Sequence, residues 1–121
     1  MTSDRRLHRI LIIDDEPLIA LDIEELLLES GFVVAGIVGK IAPALALIES
    51  GACDAVILDA NLAGFSAVPI AVALDASGVP YLVISGYALE QLPAGLQAAP
   101  FLRKPCRPTQ LVRVLTELCA K

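Results

Sequence analysis

The sequence predicts an α/β fold, with a five-stranded parallel sheet covered by helices on both faces. Short apolar runs alternate with longer helical patterns five times along the chain. The runs are apolar at consecutive positions, which is typical of strands buried on both sides. Because parallel strands need a crossover between them, each run is expected to be followed by a helix.

The first half of the chain predicts three strands with a helix between each consecutive pair. Residues 9–13 predict the first strand, and a helix follows between Pro17, which suits a first turn, and Gly31, which suits a helix end. The apolar residues close to helical spacing in it are Leu18, Leu21, Leu26 and Leu28. The elements predicted next are a strand at 32–38, a helix opened by Pro43 and closed by Gly51, and a strand at 55–59.

The second half continues the alternation, with one weak element. Ser66 is the predicted cap of a helix over 67–78, and a strand follows at 80–85. Residues 88–97 indicate only a weak helix, because Pro93 and Gly95 interrupt it. A short strand near 100–102 precedes a helix over 107–121, whose apolar face is Leu111, Val114, Leu115 and Leu118.

Length and composition limit the classes of function. The chain has 121 residues, so residues 1–121 are expected to form one domain. The formal charge of −5, without a basic stripe, argues against nucleic-acid binding. No apolar run reaches the roughly 18 residues that span a membrane, and the polar N-terminus does not resemble a signal peptide. The three cysteines lack paired spacing, which predicts reduced thiols and a cytoplasmic location.

Polar side chains follow four of the predicted strands. In an open parallel sheet the functional crevice lies at the carboxyl ends of the strands, so these side chains are expected to meet there. They are Asp14, Asp15 and Glu16 after strand one, Asp59 at the end of strand three, Ser85 at the end of strand four and Lys104 after strand five. Glu16 is interpreted as a helix-capping acid rather than a metal ligand.

This set of groups favours phosphoryl chemistry with a divalent cation. Clustered carboxylates bind a hard cation such as Mg²⁺, and a carboxylate beside it can act as a nucleophile toward phosphorus. Mg²⁺, an ammonium and a hydroxyl together can neutralise the phosphoryl oxygens. The lone His8 is interpreted as structural and not as a phosphodonor.

Four motifs resemble those of two-component response-regulator receiver domains. They are "IIDDEP", "VILDANLAG", "VISGY" and "FLRKP", in the family's order and on the expected strands. The resemblance covers nearly all of the chain and implies a doubly wound, flavodoxin-like fold with strand order 2-1-3-4-5. It is strongest to a branch of receivers common in alphaproteobacteria, which are either stand-alone or attached to sensor kinases.

The resemblance also implies roles for individual residues. Asp59 is expected to be the phospho-acceptor, Asp15 the direct Mg²⁺ ligand, Asp14 a helper through a metal-bound water, and Asn61 a ligand through its backbone carbonyl. Lys104 is expected to pair with the phosphoryl group, followed by a cis bond to Pro105. Ser85 is expected to be the switch hydroxyl, and Phe101 the aromatic switch residue.

The sequence departs from the common family pattern at several positions. "NLAG" replaces the usual loop after the acceptor, Gly86 replaces a frequent alanine, and Cys106 stands where an aromatic residue often follows "KP". The segment from Ser85 to Lys104 is also short, which predicts a short or irregular fourth helix. The expected role of Phe101 depends most on the common family pattern, because switching in this branch is atypical.

The expected function is that of a stand-alone response regulator. With Mg²⁺, it takes a phosphoryl group from a histidine kinase or a histidine phosphotransferase. It signals by binding a downstream protein through the surface formed by the fourth and fifth predicted helices, over 88–97 and 107–121, and the fifth predicted strand, near 100–102. Dimerisation on phosphorylation is left open, and neither nucleic acid, membrane nor enzymatic activity on other substrates is expected. The alternatives are a phosphate sink or shuttle, a degenerate receiver that only binds or dimerises, and an aspartyl-phosphate phosphatase. The last normally has a second acid two residues after its nucleophile, where this chain has Asn61.

Overall fold

A parallel sheet with helices on both faces is the observed architecture, in a computed structural model that describes residues 8–120. Its strands are β1 Arg9–Ile13, β2 Val33–Val38, β3 Ala55–Asp59, β6 Tyr81–Ser85 and β7 Phe101–Arg103. Two further strands, β4 Asn61–Leu62 and β5 Phe65–Ser66, form a small hairpin. The helices are α1 Pro17–Glu29, α2 Ile41–Glu49, α3 Val68–Ser77 and α4 Pro108–Cys119.

The large sheet has the order β2-β1-β3-β6-β7, and all of its strand pairs are parallel. Counting only its own five strands, this is the order 2-1-3-4-5 that the sequence resemblance implied. The predicted doubly wound fold is therefore confirmed.

The core consists of two apolar layers, one on each face of the sheet. Successive residues of a strand point to opposite faces, so Leu11 and Ile13 pack with α2 and α3, whereas Ile10 and Ile12 pack with α1 and α4. The consecutive apolar runs of the sequence are thus explained by burial on both sides. The predicted face of α4 is also confirmed, since Leu111, Leu115 and Leu118 are buried and Val114 is partly buried.

The residues that α1 buries are not the leucines that the helical spacing predicted. Ala20, Ile23 and Leu27 face the sheet, whereas Leu18, Leu21 and Leu28 are 78%, 53% and 57% exposed. This helix is apolar on more than one side, so periodicity alone does not identify the side that packs. Its predicted ends are confirmed, because it begins at Pro17 and is followed by Gly31 at φ 90°.

No α-helix forms over residues 88–97, and the prediction of a short or irregular fourth helix is confirmed in its irregular form. The structure has two single 3-10 turns there, Leu89–Gln91 and Ala94–Leu96. Pro93 forces the residue before it out of the helical region, and Leu92 is extended with φ −86° and ψ 154°. Both Leu92 and Leu96 are buried in the α2–α3 layer and anchor the segment.

Two predicted helix starts are shifted. The N-cap of α3 is Ala67 rather than Ser66, although the Ser66 hydroxyl accepts a hydrogen bond from the Val68 N–H at 3.2 Å. Helix α2 begins at Ile41, two residues before Pro43. Among the helices of residues 8–120, none is long and apolar enough to cross a bilayer. The predictions for residues 1–7 and for residue 121 lie outside the described residues.

Candidate functional site

The carboxyl edge of the sheet brings together the polar residues that the sequence singled out. Asp14 directly follows β1 and is fixed by its backbone N–H, which donates to the Val38 carbonyl at 3.0 Å. Asp59 and Ser85 are the last residues of β3 and β6. The Lys104 N–H donates to the Ser85 carbonyl at 2.8 Å, so sheet pairing carries this lysine to the same edge. The predicted convergence is confirmed.

Three carboxylates form a compact cluster at this edge. Each of Asp14, Asp15 and Asp59 offers an oxygen, and these oxygens all lie within 4.8 Å of one another. Asp14 Oδ1 accepts the Glu16 N–H at 2.8 Å, and Asp59 Oδ1 accepts the Asn61 N–H at 3.1 Å. Like charges this close repel each other strongly when buried, so the cluster calls for a compensating cation.

The ammonium group of Lys104 supplies part of that positive charge. Its Nζ donates to Glu16 Oε1 at 2.6 Å and to Asp59 Oδ2 at 3.0 Å, and it lies 3.1 Å from Asp14 Oδ2. The contact with Asp14 lacks hydrogen-bond geometry, so the buried Asp14 Oδ2 still has acceptor capacity. One lysine is therefore shared by three carboxylates.

Glu16 does not act as predicted from the sequence. It occupies the N-cap position of α1, with the extended backbone that a cap requires, but its side chain makes no capping hydrogen bond. The carboxylate turns toward Lys104 instead, because an ammonium is a stronger partner than the backbone N–H groups of the first turn. The interpretation of Glu16 as a capping acid is therefore wrong for its side chain.

Burial and charge shift the protonation equilibria of the site. Burial raises the pKa of Asp59 to about 6, and the Asn61 N–H and Lys104 offset only part of this effect. Burial alone would lower the pKa of Lys104, but Glu16, Asp59 and Asp14 outweigh it and hold the pKa above its ordinary value. At pH 7.5 the site thus contains an ionised Asp59 beside a charged Lys104.

The carboxylate cluster fits a hard divalent cation. Its donor atoms are all oxygens, which Mg²⁺ prefers, and the buried Asp14 Oδ2 has no hydrogen-bond partner. Asn61 lies beside the cluster at the start of the hairpin. Its side-chain oxygen accepts the Gly64 N–H at 2.8 Å, which closes a turn with Ala63 at φ 54° and Gly64 at φ 90°. The role expected of the Asn61 backbone carbonyl stays a prediction.

The expected switch residues lie on neighbouring strands. Ser85 is buried, and its Oγ accepts the Tyr87 N–H at 3.0 Å. Phe101 is half-buried and packs against the α2–α3 layer of the core. The Lys104–Pro105 bond is cis, as predicted. The switching roles of Ser85 and Phe101 stay predictions.

Gly39 is a site residue that the sequence reasoning missed. A Cβ at this position would lie 3.1 Å from the Asp15 Cα and 3.4 Å from the Asp14 carbonyl oxygen. The loop after β2 therefore packs directly against the loop that carries two of the acids. The signal was available, because Gly39 follows a strand that neighbours β1 and so reaches the same edge.

A groove of about 1280 Å³ runs from these acids along α1. Its floor is apolar and includes Ile19, Ile23, Leu26 and Leu111, and its rim includes Asp22, Glu25 and Glu29. Tyr87 and the segment Lys104–Cys106 line the end nearest to Asp59. The site is thus open to a partner that is larger than a phosphate ion.

Comparison with known protein families identifies the chain, because residues 10–116 match the response regulator receiver domain. The chain belongs to this family. Receiver domains are signalling domains of two-component systems. The carboxylates, the lysine and the serine of the four motifs lie at the carboxyl edge of the sheet, as the sequence predicted. The same kind of comparison with curated proteins gives no match.

Solved structures of receiver domains resemble this one over nearly their whole length. SdrG from Sphingomonas melonis Fr1, solved in solution, is 35% identical with a TM-score of 0.82, covering 98% of this chain and 98% of that chain. The BeF3-activated conformation of SdrG, from Pseudomonas melonis Fr1, is 34% identical with a TM-score of 0.80, covering 98% and 99%.

A third similar structure carries a metal ion. The receiver domain of the sensor histidine kinase PA1611 from Pseudomonas aeruginosa PAO1 has a magnesium ion coordinated in its active site cleft. It is 24% identical to this chain with a TM-score of 0.82, covering 94% of this chain and 98% of that chain, so the likeness to this chain is one of fold.

Proposed function

We propose that this receiver domain is a stand-alone response regulator that accepts a phosphoryl group on Asp59. The donor is a phosphohistidine on a histidine kinase or a histidine phosphotransferase, and the output is binding to a downstream protein. The observation that carries the proposal is the position of Asp59 between a lysine ammonium at 3.0 Å and two further carboxylates. The proposal treats residues 1–121 as one domain and places it in the cytoplasm, the compartment expected for three cysteines without paired spacing.

The transfer step follows from the state of Asp59. Its raised pKa of about 6 leaves it ionised at pH 7.5 and more basic than an exposed aspartate, which makes it a better nucleophile. A carboxylate oxygen attacks phosphorus and forms an O–P bond, while the P–N bond of the phosphohistidine breaks. The electron pair of that bond stays on the imidazole nitrogen, so a ring protonated on its other nitrogen leaves neutral.

The residues around Asp59 orient this step and neutralise charge. Lys104 donates to a phosphoryl oxygen as negative charge builds up there, and the Asn61 N–H keeps the other carboxylate oxygen in place. Asp14, Asp15 and Asp59 would hold Mg²⁺, together with the Asn61 carbonyl. When bound, Mg²⁺ supplies charge neutralisation for the phosphoryl oxygens. Ser85, the last residue of β6, then donates a hydrogen bond from its hydroxyl group to a phosphoryl oxygen, and its pairing with Arg103 links the site to β7.

The surroundings of the site support protein partners on both sides of the reaction. The groove along α1 gives a donor protein a continuous surface that leads to Asp59. The output surface proposed from the sequence included a helix over residues 88–97, where two 3-10 turns lie instead. The proposed output surface is therefore formed by these two turns, by β7, which begins at Phe101, and by α4.

Beryllofluoride binding in the presence of Mg²⁺ tests the proposal. Beryllofluoride mimics an aspartyl phosphate, so the wild type should bind it and Asp59→Asn should not. Asp22→Asn is the matched control, because it makes the same change in an exposed acid of the groove rim and should bind like the wild type. Equal binding by the wild type and Asp59→Asn contradicts the proposal.

A further inference from the structure

The three carboxylates around Lys104 differ sharply in their access to water. The side chains of Asp14 and Asp59 are 0% and 7% exposed, whereas that of Glu16 is 54% exposed. Glu16 nevertheless makes the shortest contact with the ammonium, at 2.6 Å. The lysine is therefore held between two buried acids and one acid at the solvent-facing rim of the site.

Phosphorylation changes what Lys104 has to contact. It bonds one Asp59 oxygen to a phosphoryl group, which adds negative charge and three further acceptor oxygens. An ammonium has three N–H donors, and in this structure its neighbours are the carboxylates of Glu16, Asp59 and Asp14. Because the Asp59 oxygen that Lys104 contacts becomes the bridging oxygen, the ammonium has to turn from its resting position toward the phosphoryl oxygens, and its contacts with the other carboxylates oppose this movement.

Glu16 is the partner that Lys104 can leave at the smallest cost. A buried carboxylate that loses its cation has no water to replace it, whereas an exposed carboxylate is hydrated at once. Asp14 and Asp59 keep their charge compensation from the metal that they would hold. Glu16 is one residue beyond the cluster and is not part of it.

We propose that Glu16 is a positioning residue that holds Lys104 in the resting site and competes with the phosphoryl group for this lysine. This inference rests on the proposed function of the site. The competition lowers the stability of the phosphorylated state relative to the resting state. Glu16 thus sets how strongly the site retains a phosphoryl group, without contacting it.

The test compares beryllofluoride dissociation constants, with Mg²⁺, for the wild type and Glu16→Gln. An exposed ion pair contributes up to about 1 kcal/mol, so removing it should tighten beryllofluoride binding roughly two- to fivefold. Glu16→Asp retains the charge on a shorter side chain and should give a smaller gain. The gain should shrink at high salt, because salt screens the exposed pair, and a purely structural role would not produce this dependence.

Glu25→Gln is the matched control. It removes the same charge from another exposed acid of the groove, and Glu25 is not among the carboxylates within 4.0 Å of Lys104 in the described part of the chain. The Mg²⁺ dissociation constant of each variant, measured without beryllofluoride, separates effects on the metal from effects on the phosphoryl mimic. The control should change beryllofluoride binding by less than twofold.

The outcomes distinguish this inference from the function on which it rests. A wild type that does not bind beryllofluoride refutes the proposed function, and the inference with it. Wild-type binding with an unchanged or weaker Glu16→Gln refutes the inference alone. An equal gain in Glu25→Gln also refutes it, because the effect would then come from net charge and not from the contact with Lys104.

Discussion

Replacing Asp59 by asparagine should stabilise the metal-free fold at neutral pH. The ionised carboxylate is buried beside Asp14, and this environment raises its pKa from 3.8 to about 6. This difference in pKa corresponds to roughly 3 kcal/mol of unfolding free energy, which the protein loses when Asp59 ionises. Asparagine has the same shape without the charge, so we expect a gain of about 1–3 kcal/mol in the free energy of unfolding at pH 7.5.

The sign of the pH dependence gives a second readout. Because the folded pKa is raised above the unfolded one, the contribution of Asp59 to stability is fully present below about pH 4 and is lost as the pH rises through about 6. The difference in unfolding free energy between Asp59→Asn and the wild type should therefore be small at pH 4. It should grow through pH 6 and be constant above pH 7.

Urea unfolding in EDTA, repeated between pH 4 and pH 8, measures this difference. Asp22→Asn serves as the control, since it removes an exposed acid and should change stability by less than about 0.5 kcal/mol at every pH. A variant that is no more stable than the wild type at pH 7.5 would refute the reasoning. A constant difference across the pH range would refute it as well, because the effect would not then follow the ionisation of Asp59.

Two further substitutions probe the position of the acids and the core beneath them. Gly39→Ala puts a Cβ 3.1 Å from the Asp15 Cα, so we expect the acidic loop to shift and Mg²⁺ affinity to fall by up to about 10-fold. Titration calorimetry checks this against Gly36→Ala, whose Cβ meets only ordinary contacts, and equal affinity of the two variants would contradict it. Leu58→Ala removes a fully buried side chain next to Asp59 and should lower the free energy of unfolding by about 2–5 kcal/mol. Val72→Ala, at an exposed position of α3, is its control in urea unfolding, and a comparable loss in both would show that Leu58 is not a core residue.

The sheet and its functional edge could be predicted because both depend on local patterns and on one topological rule. Runs such as residues 10–13 and 55–58 are apolar at every position, and only strands buried on both faces require this. Once the strands were parallel, their last residues had to share one edge. The convergence of Asp14, Asp59, Ser85 and Lys104 followed from these two facts alone.

The features that sequence reasoning missed depend on contacts between distant parts of the chain. Glu16 has the backbone of an N-cap, and its true partner lies 88 residues away at Lys104. The packing side of α1 was also not readable, because Leu18 and Leu27 are equally apolar and only the position of the sheet distinguishes them. A local sequence pattern limits which contacts a residue can make, and the tertiary fold determines which of these contacts forms.

Two 3-10 turns, in place of an α-helix, form the connection between β6 and β7. The first turn is closed by the Gln91 and Leu92 N–H groups and the second by the Leu96 and Gln97 N–H groups, and the Gln97 side-chain amide joins the two turns by donating to the Leu92 carbonyl at 2.8 Å. The buried side chains of Leu92 and Leu96 hold the segment against the core at two points. The segment therefore lacks the continuous i to i−4 hydrogen-bond ladder of an α-helix, so fewer backbone hydrogen bonds have to break when it changes conformation. A small change at Ser85 can redistribute its conformations without disturbing the sheet.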